Sequence, residues 1–227
     1  MDFNYQEIIF YSSGGLALFL FGIKYMSDGL QSIAGNKMRK FLERGTKTPL
    51  RGVFSGMRVT ALIQSSSATT VLTVGLVNSG LLSLRQAIGI IMGANIGTTI
   101  TAYIIGFKLE HYSLPIAAIG MVLLFFSKNR RLNIIGQVMF GFGVLFYGMQ
   151  TMGTGLKPLR HMPVFINAMT GIEAHSLLGV LVGTVFTGIV QSSSATIGIL
   201  QELAYQGAVT YKQAVPILFG DNIGTTV

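Results

Sequence analysis

Residues Gly52–Ser79 read GVFSGMRVTALIQSSSATTVLTVGLVNS. Two apolar arms, Gly52–Ile63 and Ala68–Ser79, are joined by Gln64, Ser65, Ser66 and Ser67. As a helix, each arm reaches only about 18 Å, against a bilayer core of about 30 Å. Neither arm crosses alone, and backbone that leaves helical form at membrane depth must be buried in protein or line a wet cavity. The stretch therefore reads as a re-entrant helical hairpin that turns back at its serines.

Composition agrees with a membrane chain. Half of the 227 residues are hydrophobic and 11% are charged, where soluble domains carry about 25%. The 29 glycines suit close helix packing and broken helices. Asp2 and Glu7 stand where a secretory signal would be basic. The absence of cysteine excludes disulfides and thiolate metal sites. His111, His161 and His175 are scattered among connectors and do not suggest a metal enzyme. The net charge of +8 lies between apolar segments, the pattern of membrane topology and not of a nucleic-acid-binding face.

The motif returns. Residues 56–100 align without gaps to 183–227, at offset 127, with 19 identities in 45 positions. Gln64–Thr69 matches Gln191–Thr196, and GANIGTT (Gly93–Thr99) matches GDNIGTT (Gly220–Thr226). Gly22, Met26, Gly29 and Leu30 match Gly148, Met152, Gly155 and Leu156 at offset 126. The chain is a tandem duplication, with copies at 1–126 and 127–227. Ile8–Leu30 and Leu132–Thr151 are full spans, Ser113–Phe126 is a short one, and Asn36–Arg51 is a basic interfacial helix. Breaker-rich Gly93–Gly97 predicts a discontinuous span, repeated at Gly220–Gly224. The second copy stops at Val227, where the first continues through ITAYIIGF. The expectation is a chain truncated inside its second broken helix.

Three crossings separate the starts of the two copies, because a hairpin adds none. An odd number turns the second copy over, making an inverted repeat. Lys37, Arg39, Lys40, Arg44, Lys47 and Arg51 fall on the same side as Lys128, Arg130 and Arg131. By the positive-inside rule the first hairpin opens from the cytoplasm and the second from outside. The two tips are then expected to approach each other from opposite faces of a plasma-membrane protein.

Each tip starts a helical arm, whose free N–H groups and positive dipole end favour an anion. Ser65, Ser66, Ser67 and Thr69, with Ser192, Ser193, Ser194 and Thr196, add hydroxyl donors. Gln64 and Gln191 offer a carbonyl to a cation and an NH₂ to an anion. Asn95, Thr98, Asn222 and Thr225 sit at the expected breaks, in a ligand set suited to Na⁺. Plainer readings stand beside these: serines in membrane helices also pack between helices or bond to the preceding turn, and one of three can simply cap an arm. Asp221, opposite Ala94 in the other copy, is either tied to ion coupling or local structure. Arg58 reads as snorkelling, and Lys24 with Asp28 as a structural pair. No His or Lys shares a hairpin apex and no GxSxG or GxxxxGK[ST] pattern occurs, so enzymatic chemistry has no footing.

The paired QSSS hairpins, each followed by G-x-N-I-G-T-T, resemble the type II sodium/phosphate cotransporter family over nearly the whole chain. The resemblance implies an all-α integral membrane protein: an inverted-repeat transporter with two re-entrant helical hairpins and discontinuous helices. It implies Na⁺-coupled transport of inorganic phosphate by alternating access. Phosphate would sit at Ser65–Ser67 and Ser192–Ser194. Na⁺, or both ions, would be held by Gln64, Thr69, Asn95, Thr98, Gln191, Thr196, Asn222 and Thr225. Where mammalian members often have Thr after QSSS, this chain has Ala68 and Ala195. The expected partners are phosphate, Na⁺ as coupling ion without any cofactor, and the lipid bilayer. A second copy of the chain and a cytoplasmic PhoU-like domain, typical of bacterial relatives, are further candidates; nucleic acid is not one. A Na⁺-coupled carrier of sulfate or a small carboxylate is the first rival. A non-transporting scaffold or sensor in phosphate signalling is the second.

Overall fold

A computed structural model of the chain describes residues 4–46, 48–107 and 109–225, without the side chains at 34–37, 39, 40, 43 and 44. Of the basic residues counted above, Lys37, Arg39, Lys40 and Arg44 as side chains and Lys47 entirely fall outside this description, as do Asp2 and Thr226.

The described residues form ten α-helices and no strand. They are α1 (Tyr5–Gly45), α2 (Pro49–Ile63), α3 (Ser66–Asn78), α4 (Leu84–Gly106), α5 (Ser113–Phe126), α6 (Arg130–Leu156), α7 (Pro163–Ala174), α8 (Ser176–Val190), α9 (Ser193–Tyr205) and α10 (Tyr211–Gly224). Stretches of α1 and α6, and the whole of α4, are long and apolar enough to cross a membrane. Helices α7 and α8 meet at 114°, a bend that fits either one broken span or a re-entrant loop. Large apolar side chains stand outward, with Phe126 and Leu177 each 82% exposed, as a lipid-facing surface requires. The fold is that of a multi-pass helical membrane protein.

Most expected elements appear where the hydropathy puts them. The arms of both motifs are separate short helices, α2 with α3 and α8 with α9, and α5 occupies the predicted 14 residues. Two expectations change. The first span and the interfacial helix after it are one continuous helix, α1, of 41 residues. Lys24 and Asp28, expected to pair, lie exposed one turn apart without an ion pair.

The larger correction concerns the discontinuous helices. Helix α4 runs unbroken through Gly93-Ala94-Asn95-Ile96-Gly97, and α10 runs through Gly220–Gly224. The glycines do not interrupt the helix; they let another helix touch it. A Cβ on Gly93 would strike the Val53 carbonyl of α2, and one on Gly56 would strike the Ile90 carbonyl of α4. The second copy repeats this with Gly220 against Val180 and Gly183 against Ile217. Small residues four apart allow backbones to pack directly in an apolar medium, and both helices continue through these glycines, α10 with one i→i−4 bond missing at Pro216.

The chain condenses into two compact units. The basic one contains residues 23–107 and 115–142; the other contains 1–22, 108–114 and 143–227. Both α1 and α6 contribute one half to each. In the basic unit α2 and α3 both lie against α4, over a core of Leu42, Val59, Ile63, Leu76, Leu82 and Ile90. In the other unit α8 and α9 lie against α10, with Ile172, Leu200 and Ile217 at the centre. The turn into α4 uses Gly80 at φ +73 and a Ser83/Gln86 capping box; the turn into α10 uses Gly207 at φ +69 and a Thr210/Gln213 box.

Gly93→Ala and Gly220→Ala are expected to destabilise the protein by about 1–3 kcal/mol, because a methyl is forced onto a carbonyl. Gly75→Ala, whose Cβ would meet nothing within 4 Å, should be neutral or slightly stabilising. Thermal unfolding in detergent separates the two classes; equal midpoints would refute the packing argument.

Candidate functional site

Each hairpin tip is built by a glutamine and a serine. Helix α2 ends at Gln64, which adopts the left-handed conformation (φ 56, ψ 30) and donates its N–H to the Thr60 carbonyl at 2.7 Å. A side chain rarely tolerates this backbone. Gln64 compensates by bonding: its Nε2 donates to the Ala61 carbonyl, and its Oε1 accepts from the Thr101 hydroxyl at 2.8 Å. Ser65 is then extended and caps α3, its hydroxyl accepting from the Ala68 N–H at 3.2 Å. The second tip repeats the turn and the cap, without a counterpart of the Gln64–Thr101 bond among the described residues. Gln191 (φ 55) closes α8 with its Nε2 on the Gly188 carbonyl, and Ser192 caps α9 through the Ala195 N–H at 3.3 Å.

A pair of threonine hydroxyls locks the two arms behind each tip. Thr60 donates to Thr69 at 2.9 Å, and Thr187 lies 2.6 Å from Thr196. Nine residues apart in a straight helix, such groups would be separated by about 13 Å along the axis, so the chain has turned sharply back. All four threonines are buried. Thr60 and Thr187 escaped the sequence reading, although they are one of the 19 identities and the signal was visible: a polar residue kept at the same place in both apolar arms.

The copies diverge at this point. In the first, the neighbouring position on α4 is Ala94, fully buried. In the second it is Asp221, 1% exposed, whose Oδ1 accepts from the Thr187 hydroxyl at 2.8 Å. A hydroxyl has one proton. That proton goes to Asp221, and Thr196 stands within hydrogen-bond reach of both Thr187 and Asp221. Helices α7, α8 and α9, which pack against α10, contain Glu173 and Glu202 but no Lys or Arg. The buried carboxylate has only hydroxyls to meet it among these helices.

The other expected residues divide into two groups. The hydroxyls of Ser66, Ser67, Ser193 and Ser194 stand in the first turns of α3 and α9 without a hydrogen-bond partner among the described residues. Thr98 and Thr225 instead bond back into their own helices, to the Ala94 and Asp221 carbonyls. Asn95 and Asn222 lie on exposed faces of α4 and α10, and Asn222 donates to the Leu218 carbonyl. Gln64, Ser65 and Thr69, and likewise Gln191, Ser192 and Thr196, are thus gathered at the tips; the asparagines are not.

A family model described as Na⁺/Pi-cotransporter matches the chain over residues 18–154 and 147–227. An uncharacterized protein, YqeW of Bacillus subtilis (strain 168), is 30% identical over 212 residues, which cover 93% of this chain and 69% of that protein. The putative inorganic phosphate export protein YjbB of Escherichia coli (strain K12) is 29% identical over 213 residues, covering 92% of this chain and 39% of YjbB. The sodium-dependent phosphate transport protein 2B of Homo sapiens is 42% identical over 94 residues, 40% of this chain and 14% of that protein. The chain therefore spans about two-thirds of YqeW and about two-fifths of YjbB. No solved structure is significantly similar to it.

The geometry separates caps from free hydroxyls. Ser65→Ala and Ser192→Ala should each cost about 1 kcal/mol of stability, the usual worth of an N-cap. Ser66→Ala and Ser193→Ala should change it by less than about 0.5 kcal/mol. Denaturation midpoints of the four variants test the distinction.

Proposed function

The chain belongs to the Na⁺/Pi-cotransporter family, and from that premise we propose that it carries inorganic phosphate across the membrane, coupled to Na⁺, by alternating access. This reading takes the two hairpins as re-entrant and the 14-residue α5 as a third crossing before α6, so that the duplication is inverted. Members of this family are transporters and not enzymes, and the names of YjbB and of transport protein 2B place phosphate among the relatives' substrates.

The observation that carries the proposal is the pair of serine hydroxyls left without partners at the head of α3, repeated at the head of α9. Three orphan N–H groups and a positive dipole end point the same way as these hydroxyls. A tetrahedral oxyanion accepts from both kinds of donor at once. Ser66, Ser67, Ser193 and Ser194 are the proposed phosphate ligands, with Ser65 and Ser192 positioning them as caps.

Each tip also sets a helix C-terminus beside that N-terminus. The last carbonyls of α2 and α8 carry the negative end of a dipole and suit a cation. Thr69, Gln64, Thr196 and Gln191 supply oxygens there. In the second copy Asp221 adds a full negative charge that Na⁺ would offset, lowering the cost of a buried carboxylate. Thr98 and Thr225, and the outward-facing Asn95 and Asn222, remain outer candidates.

The test is radiolabelled phosphate flux in proteoliposomes holding the full-length protein, with label loaded inside or outside, with and without a Na⁺ gradient, and with sulfate as competitor. Na⁺-dependent flux that sulfate does not suppress is expected. Flux indifferent to Na⁺ sinks the coupling, and no flux at all leaves the scaffold reading in possession. Ser66→Ala and Ser193→Ala should each raise the phosphate KM at least about tenfold, the loss of one or two hydrogen bonds to a charged group. Asp221→Ala, which installs the residue found in the first copy, should raise the Na⁺ concentration needed for half-maximal flux while leaving the phosphate KM at saturating Na⁺ nearly unchanged.

A further inference from the structure

Charge is divided unequally between the two compact units. The basic unit holds twelve of the sixteen Lys and Arg residues and two of the eight Asp and Glu, a balance of +10; the other unit is at −2. Topology accounts for basic connectors in general. Two of these arginines, Arg130 and Arg131, also line a cavity.

Within the basic unit, α1 and α6 touch where Gly29 meets Val138, and the Gln137 amide donates to the Tyr25 carbonyl at 3.0 Å. One turn further along α1 the contact is lost. Ser32 and Ile33 face Arg130, Arg131, Ile134 and Ile135 across a cavity of about 870 Å³. Ile33 also lines a second, apolar groove of about 670 Å³ between α1 and α2, walled by Leu30, Phe41 and Leu62, with Arg58 beside it. At 27 residues α6 is about 40 Å long, more than the hydrocarbon core. Its first turn therefore reaches headgroup depth.

We propose that the cavity at the start of α6 is a binding site for an anionic phospholipid, with the phosphate of the headgroup against Arg130 and Arg131 and an acyl chain along the groove past Ile33. The pairing of chemistries selects the ligand. Guanidinium groups bind phosphate oxygens in a bidentate fork. Basic pockets between membrane helices hold lipid headgroups. The adjoining apolar groove has nothing to offer a free phosphate ion, and a zwitterionic lipid brings a cation that the arginines repel. The site's occupancy is read without transport.

The experiment is native mass spectrometry and thermal unfolding of the full-length protein, relipidated with either phosphatidylglycerol or phosphatidylcholine. Phosphatidylglycerol should be retained roughly tenfold better than phosphatidylcholine, as two interfacial arginines imply, and should raise the unfolding midpoint. Arg130→Gln/Arg131→Gln should abolish the preference. Ile135→Trp, which keeps both arginines but fills the cavity, should weaken retention as well. Undiminished preference in the double variant, or in a well-folded Ile135→Trp protein, overturns the proposal. Displacement of the lipid by inorganic phosphate at equal concentration would show a site for the free ion and overturn it too.

Discussion

The backbone contact between α2 and α4, and its copy between α8 and α10, is the constraint from which the rest follows. An apolar medium offers no hydrophobic reward for bringing two helices together, so close packing must supply the attraction. Gly56 and Gly93, like Gly183 and Gly220, bring the helices to carbonyl contact. In each copy the second of these helices, α4 or α10, becomes a post for its hairpin. The hairpin can then end in a glutamine at positive φ and an exposed helix N-terminus without collapsing, because Gln64 is tied across to Thr101 on that post.

Seen against this frame, the identities between the copies sort by physical task. Some maintain the crossing, such as Gly56 with Gly183. Some make the turn, as Gly80 and Gly207 do at positive φ, or cap the helix after it, as Gln86 and Gln213 do. Thr60 with Thr69, and Thr187 with Thr196, hold the arms together. The second and third serines of each tip have no such task. Repeated in an apolar setting without a structural bond among the described residues, they are the residues on which the proposed anion contact rests.

The two copies share a scaffold and differ in charge. The same hydroxyl pair faces Ala94 in one and Asp221 in the other, and the proton of Thr187 is drawn to the carboxylate. Among the described residues, the helices packed against α10 carry Glu173 and Glu202 and no Lys or Arg. The two copies thus share a serine-capped tip and differ in the neighbouring position, Ala94 in one and Asp221 in the other.

Much was legible in the sequence because the bilayer is a demanding solvent. Arm lengths, spans and hairpin breaks follow from hydropathy and from the need to satisfy every peptide, and the duplication is plain in the letters. The sequence by itself therefore determined a helical membrane chain with two serine-tipped hairpins. It misled at Gly93–Gly97, since a glycine that breaks a helix and one that admits a neighbour look alike until the neighbour is known. Only the tertiary structure decided that these helices continue, that Thr60 and Thr187 close the arms, and that Ser65 and Ser192 cap while the serines after them stay free. Those are questions of which atoms meet across the fold, and spacing along one chain does not contain the answer.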